Sequence, residues 1–217
     1  MKVIKAGYQI LDVLNGKAIL EKIERVARVC YKSEDKAGED TAEKLVAALI
    51  RSGHEAMLEH CGFSVLFTVD RGISHELVRH RLASFAQEST RYCNYSKDGF
   101  GKEITVIKPC YLSSDENSPS EIMDYEAWYT AMEECEKSYF KLLNKGHSPQ
   151  EARAVLPNSL KTDIVVTADL REWRHILKLR AEGTTGKPHP QMIEVMVPLL
   201  KELQEKIPVV FDDIQPR

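Results

Sequence analysis

From Phe63 to Val69 the chain alternates, with Phe63, Val65, Phe67 and Val69 on one side and Ser64 and Thr68 on the other. A period of two predicts a half-buried strand. Asp70-Arg71-Gly72 breaks it, and the spacing then lengthens: Ile73, Leu77, Val78 and Leu82 recur at helical intervals. The strand is therefore expected to hand over to a helix that carries Arg79-His80-Arg81. Helical residues turn by ~100° each, so Arg79 and Arg81 would point ~200° apart. On such a helix they cannot grip one small anion together. Either one is idle in solvent, or they serve two ligands or two subunits. Beyond Ala83 the apolar period fades into Ser84, Gln87, Glu88, Ser89, Thr90 and Arg91, and a loop is expected. Hydroxyls, an amide, a carboxylate and a guanidinium lie within a few residues there. These groups suit a nucleotide, and they equally suit a solvated helix end.

Elsewhere the pattern predicts a short strand region over residues 2 to 13 and a turn at Leu14-Asn15-Gly16. A helix is expected from Lys17 to Val29, with Ile19, Ile23, Val26 and Ala27 on its apolar side. A charged loop follows from Lys32 to Glu39. A second helix is expected from Asp40 to Ile50, with Asp40 and Glu43 as a capping box and Gly53 as its stop. Ile104 to Ile107 reads as a short strand and Ser113 to Pro119 as a polar turn. Glu121 to Leu143 reads as a long helix with core-facing aromatics. Ser148-Pro149-Gln150-Glu151 starts a short helix limited by Pro157. Ile164 to Thr167 is a candidate strand, after which Asp169 and Glu172 cap another helix. A last amphipathic helix, interrupted or kinked near Pro198, is expected from about His189 to Lys206. Strands and helices mix without a regular βαβ spacing or a G-x-G-x-x-G, which indicates an α+β fold rather than a doubly wound sheet.

Composition narrows the function. A length of 217 residues makes one domain the default, and 43% hydrophobic residues suffice for a core. A net charge of −3 argues against a general nucleic-acid binder. No apolar run is long enough to cross a membrane, and Met1-Lys2-Val3-Ile4-Lys5 lacks the apolar core of a signal peptide. The five cysteines contain no C-x-x-C, so neither a disulfide framework nor a zinc site is signalled, and a cytoplasmic setting is expected.

Arginine is unevenly placed. Four of twelve lie between 71 and 91, none between 92 and 152, and four between 153 and 180. Arginine suits bidentate contacts to phosphate and carboxylate better than lysine does, so the two windows are candidates for one anionic site. On the helix after Asp169, with Leu170 at 0°, Trp173, Ile176 and Leu177 fall at ~300°, ~240° and ~340°. Arg180 falls at ~280°, inside the apolar face, where a guanidinium is costly unless it is paired, aimed at a ligand or snorkelling to water. His54 and His60, with Glu55 and Glu59, are six apart rather than four, so no metal is expected there.

Arg79-His80-Arg81, seven residues and then Ser89 resembles the R-H-R-x7-S signature of the flavin-dependent thymidylate synthases. The likeness continues in order. His54-Glu55 with Leu58-Glu59-His60 resembles the family's H-x-x-x-x-E-H segment. Ser89-Thr90-Arg91-Tyr92 continues the signature. Ala152-Arg153 with Leu156-Pro157 resembles its short helix, and Leu170-Arg171-Glu172-Trp173-Arg174-His175 with Leu179-Arg180 its late arginine helix. The resemblance implies one domain over 1–217 with a central, mainly antiparallel sheet flanked by helices, assembled as a homotetramer. It implies FAD as cofactor, with NADPH and 5,10-methylenetetrahydrofolate as cosubstrates, and conversion of dUMP to dTMP.

Carried over by position, dUMP would be held by Glu76, Leu77, Val78, Arg79, Gln87, Glu88, Ser89, Thr90 and Arg91, by Arg153 of another subunit, and by Arg180. The flavin would meet His54, Ala56, Arg79, His80, Arg81, Gln87, Asp169, Leu170, Arg171 and His175. Arg180 would be catalytic, stabilising negative charge on the uracil as C5 becomes nucleophilic. Ser89 has no base beside it in sequence and is expected to position dUMP. Asp169 stands where the family usually has Asn, Glu76 where Gln is frequent, Gln87 where Glu is frequent, and Ala56 where a hydroxyl is common. The rival readings are a non-catalytic nucleotide-binding module and a flavoenzyme acting on another substrate.

Overall fold

A computed structural model describes residues 1–113 and 119–216. Most of the polar turn expected from Ser113 to Pro119 therefore lies outside the described residues. In chain order the elements are β1 (Lys2–Ile4), β2 (Gly7–Ile10), α1 (Gly16–Val29), α2 (Thr41–Arg51), β3 (Gly62–Asp70), α3 (Arg71–Leu77) and β4 (Ser84–Gln87). They continue with β5 (Thr105–Ile107), α4 (Pro119–Asn144), α5 (Pro149–Ala152), β6 (Lys161–Asp169), α6 (Leu170–Leu177) and α7 (Pro190–Lys206). The fold is α+β. One sheet has the order β2-β3-β6-β4, and β1 and β5 form a second, two-stranded sheet.

β3 and β6 run antiparallel. Ser64 meets Thr167 through their hydroxyls at 2.8 Å, and the Thr68 hydroxyl donates to Asp163 at 2.7 Å, so partner numbers fall as the strand advances. β1 and β5 are parallel, with Lys2 opposite Thr105 and Ile4 opposite Ile107. The expectation of a central, mainly antiparallel sheet thus holds for the central strand pair, and the smaller parallel sheet is an addition to it.

The chain gathers into two compact units. The first comprises Met1–Gly7, Phe67–Arg79 and Ala86–Ile164, and the second Tyr8–Leu66, His80–Phe85 and Val165–Arg217. In the first, Tyr95, Ile104, Val106, Met132, Tyr139, Ala152 and Leu160 form the core. The aromatics of α4 serve packing: Tyr139 is fully buried, and the Trp128 indole donates to the Ser159 hydroxyl at 3.0 Å. In the second unit, Phe63 and Trp173 stack with centroids 5.0 Å apart, and the Trp173 indole donates to the Phe63 carbonyl at 3.0 Å. Removing a ring there would lose both burial and a satisfied donor. Gly62 lies beside them. A Cβ on it would stand 2.5 Å from the Ala168 carbonyl oxygen, so glycine lets β3 close on the end of β6 just before α6 begins.

Three local expectations are corrected. First, Asp40 does not cap α2 through its side chain. Its φ of 65° is left-handed, and the Thr41 hydroxyl instead bonds the Gly38 N–H and carbonyl, each at 2.9 Å. Second, α3 ends at Leu77, with Val78 as its cap and the Val78 N–H bonded to the Ser74 carbonyl at 3.1 Å. Arg79-His80-Arg81 is therefore not helical, and the 200° separation of its arginines does not apply. Val78 and Leu82, counted in the apolar period, are exposed, whereas His80 is buried between two exposed arginines. Burial of His80 has overridden continuation of the helix. Third, residues 84–87 form β4 rather than a loop. Its Gln87 side chain bonds Ser74 and Thr162, both distant in sequence.

Candidate active site

In the second unit the R-H-R histidine meets the late arginine. Asp169 accepts from the Glu172 N–H at 2.8 Å and so caps α6. The Glu172 carboxylate does not complete the expected capping box but lies buried, with its Oε1 3.7 Å from His80 Nδ1. After Leu177 the α-helix gives way to a π-helical stretch, Lys178–Glu182, closed by Gly183 at φ 75°. Such turns re-aim side chains that a regular helix would phase differently. Arg180 sits in this turn, half-buried, and its Nε donates to His80 Nε2 at 3.1 Å. The pairing explains how an arginine is tolerated at a position that the wheel assigns to the apolar face.

Burial, assisted by the nearby Arg180 and His175, pulls the His80 pKa down from 6.5 to about 4. Burial also pushes the Glu172 carboxyl up. Desolvation thus favours the neutral form of each. For His80 the unfolded chain binds the extra proton between pH 6.5 and about 4. Its contribution to stability is complete above that window and lost as pH falls through it, at no more than about 1.4 kcal/mol per pH unit for one proton. In ¹⁵N NMR spectra His80 is expected to remain neutral at pH ~5.5; a titration midpoint near the ordinary value for imidazole would contradict the assignment.

His80, Glu172 and His175 bring ligand atoms within 4.8 Å of one another. The Arg180 guanidinium on His80 places a fixed positive charge beside that cluster, which opposes a metal ion. The arrangement is better suited to holding the Arg180 guanidinium than a metal ion.

A cleft of about 710 Å³ in the same unit is lined by Glu55, Glu59, Leu82, Asp169, Arg171, Glu172, Arg174, His175 and Lys178. Three expected flavin positions, Asp169, Arg171 and His175, meet there. Arg171 pairs with Glu59, joining the late helix to the His54–His60 segment. Arg171 and His175 are exposed donors, and Leu82, 80% exposed, offers an apolar lip. The lining mixes acids with Arg171, Arg174 and Lys178, and it offers hydrogen-bond donors beside an apolar lip. Leu170 is fully buried and its N–H is spent on the Cys61 carbonyl at 2.8 Å. His54 lies elsewhere in the unit, in a groove of about 140 Å³ with Tyr31, Leu45 and Met57. Ala56 and Arg81 are exposed.

The first unit holds the other predicted positions. Gln87 Nε2 donates to Ser74 at 2.8 Å and to Thr162 at 3.2 Å. Both oxygens of Glu88 are engaged: Tyr95 donates to one at 3.0 Å, and Lys161 to the other at 3.0 Å. That carboxylate anchors the loop to Tyr95 and Lys161. Burial, reinforced by Glu88, raises the Tyr95 phenol far above its ordinary value, so Tyr95 stays a donor. Ser89 accepts from the Arg91 N–H at 3.3 Å. Thr90 accepts from Arg153 of the same chain at 3.5 Å, and Arg91 Nε donates to Gln150 at 3.1 Å. The Ser89–Arg91 loop and the Arg153 segment are thus joined, two exposed guanidiniums beside hydroxyls, as an anionic phosphate requires. Arg79 and Val78 are exposed, Glu76 is half-buried and Leu77 is buried in the core.

Sequence reasoning missed Arg174. It is 1% exposed and bonds Glu55, Asp213 and the Val210 carbonyl. The signal was available: counted from Leu170 it falls at ~40° on the wheel, beside the apolar face. Glu172, at ~200°, lies equally close to the other edge of that face, beside Ile176 at ~240°, and its burial against His80 was missed in the same way.

The chain matches the family described as thymidylate synthase complementing protein over residues 13–209. It is 36% identical over 203 residues to the flavin-dependent thymidylate synthase of Corynebacterium aurimucosum, covering 88% of this chain and 78% of that one. To the enzyme of the same name from Pyrococcus furiosus it is 32% identical over 209 residues, covering 92% and 78%. Its fold is similar to that of the UMP/dUMP methylase PolB from Streptomyces cacaoi bound with 5-Br dUMP. The TM-score is 0.80 at 23% identity, covering 98% of this chain and 96% of that one.

Proposed function

The chain belongs to the thymidylate synthase complementing protein family, and from that premise we propose that it is a flavin-dependent thymidylate synthase that methylates dUMP to dTMP. The observation that carries this reading is the 3.1 Å bond between His80 and Arg180, which joins two motif segments about a hundred residues apart. Residues 1–217 act as a single domain, and the active assembly is a homotetramer in the cytoplasm with sites shared between subunits. Among the described residues no helix is long and apolar enough to cross a membrane.

In this reading Arg91 and Arg153 hold the phosphate of dUMP, and the Ser89 and Thr90 hydroxyls orient the nucleotide. Gln87, fixed by Ser74 and Thr162, keeps the start of this loop in place. Arg180 faces the uracil ring and stabilises negative charge on N3 and the carbonyls, which raises electron density at C5. Arg171 and His175 hold the FAD, with Asp169 fixing the first turn of their helix. When bound, the flavin supplies the reducing equivalents, drawn from NADPH, and 5,10-methylenetetrahydrofolate supplies the carbon. Arg79 and Arg81, both exposed, are available to ligands or to a neighbouring subunit.

Purified protein is expected to carry flavin absorbance that changes on addition of dUMP. It is also expected to form dTMP when given 5,10-methylenetetrahydrofolate and NADPH. A protein that takes up no FAD and binds dUMP without turnover would instead be a nucleotide-binding module.

A further inference from the structure

We propose that Glu172 is a positioning residue for Arg180, acting through His80. The chemistry attributed to Arg180 rests on the thymidylate synthase reading, whereas the three-residue relay rests on geometry alone. Arginine Nε carries a hydrogen under all ordinary conditions, so in the 3.1 Å contact His80 Nε2 must be the acceptor. Neutral His80 then carries its proton on Nδ1. The group facing Nδ1 is Glu172 Oε1, at 3.7 Å. If the proton moved to Nε2, two donors would face each other and the bond to Arg180 would be lost. At 3.7 Å the Glu172 carboxylate acts by its charge rather than through a direct hydrogen bond, and while ionised it favours the tautomer with hydrogen on Nδ1, the one that can accept from Arg180. Because the guanidinium is planar, a bond at Nε sets its plane.

The burial of Glu172 supports a role beyond capping. Its N–H is already held by Asp169, and a carboxylate at this position ordinarily folds back to the exposed helix start. Here it is 6% exposed, against a histidine that is 5% exposed. A buried polar pair adds little to stability, since an apolar pair of similar volume often packs at least as well, so what Glu172 contributes here is the geometry it imposes on His80. The His175 ring meets His80 edge-on with centroids 5.9 Å apart, which limits tilting of the imidazole.

The test uses the flavin-loaded enzyme and its Glu172→Leu and Glu172→Gln variants. In the wild type, ¹⁵N NMR should show His80 protonated on Nδ1 and bare on Nε2. Glu172→Leu should lower kcat at least tenfold, with KM for dUMP and flavin content within twofold, and should lose the Nδ1-protonated signature. Glu172→Gln keeps an oxygen with partial negative charge facing Nδ1 and should recover kcat to within threefold of wild type. A wild-type His80 protonated on Nε2, or a Glu172→Leu variant with unchanged kcat, overturns the proposal. So does a loss confined to flavin content at constant kcat per bound flavin. Where Glu172→Leu fails to fold, the wild-type tautomer and the Glu172→Gln rate decide. A wild type that forms no dTMP removes the proposed function, while the tautomer still decides the relay.

Discussion

Arg180→Ala is expected to yield a folded, flavin-containing protein whose dTMP formation is slower by at least ~10²-fold, the usual loss when one preorganised charge-stabilising group is removed. Folding should survive because Arg180 is only half-buried and sits in the π turn rather than in the packed face of α6. Its removal exposes His80 Nε2 as an acceptor that has lost its bond to Arg180. That deficit is on the order of 1–3 kcal/mol, less than the whole stability of a typical chain of this size. Arg180→Lys should not restore the rate, because an ammonium is a point charge without the planar fork that His80 holds at Nε. Steady-state dTMP formation alongside dUMP binding checks the assignment. Near-normal turnover in Arg180→Ala would remove it from the chemistry.

Arg174→Ala should have the largest effect on stability, a loss of about 3–5 kcal/mol, the range for leaving a buried ion pair half-made. Its Nε and Nη2 donate to Glu55 at 3.2 and 3.0 Å, and it donates to the two oxygens of Asp213 at 2.6 and 2.8 Å. Burial works against the charge on Arg174, yet the bonds from Asp213 and Glu55 outweigh it and raise its pKa. Burial likewise works against the Asp213 carboxylate, and Arg174 overcomes it and lowers the Asp213 pKa. Alanine would leave both carboxylates and the Val210 carbonyl without this partner. Arg171→Ala offers the contrast. Arg171 and Glu59 are 51% and 46% exposed, so solvent screens their pair and its loss should cost no more than about 1 kcal/mol. Urea unfolding of the two variants separates these values; equal midpoints would show that burial does not set the difference.

Legibility differed by element for physical reasons. β3, α1, α4 and α7 were readable because each buries one face, and burial imposes its period on the residues. The ordered motif segments were readable because each is a short run of residue identities that does not depend on where the chain folds. The end of α3 was not. Ile73, Leu77, Val78 and Leu82 keep a helical spacing, yet the last two are exposed and the chain turns away so that His80 can be buried. β4 was missed because its stabilisation is pairing and polar contact from Gln87 to Ser74 and Thr162, partners distant in sequence. The bonds of Glu88 to Tyr95 and Lys161 could not be read from the sequence either, because Lys161 lies far along the chain.

By itself the sequence determined the α+β class, most helices and strands, the family and the chemical types gathered at the site. These follow from local periodicity and from residue identities in order. The tertiary structure alone decided which of those residues bond one another. It ended the helix before Arg79, inserted a π turn at Arg180, sent the Glu172 carboxylate to His80 instead of its own helix start, and enclosed Arg174 between two acids. Each outcome turns on desolvation and pairing between segments far apart in the chain. No window of neighbouring residues contains that free energy.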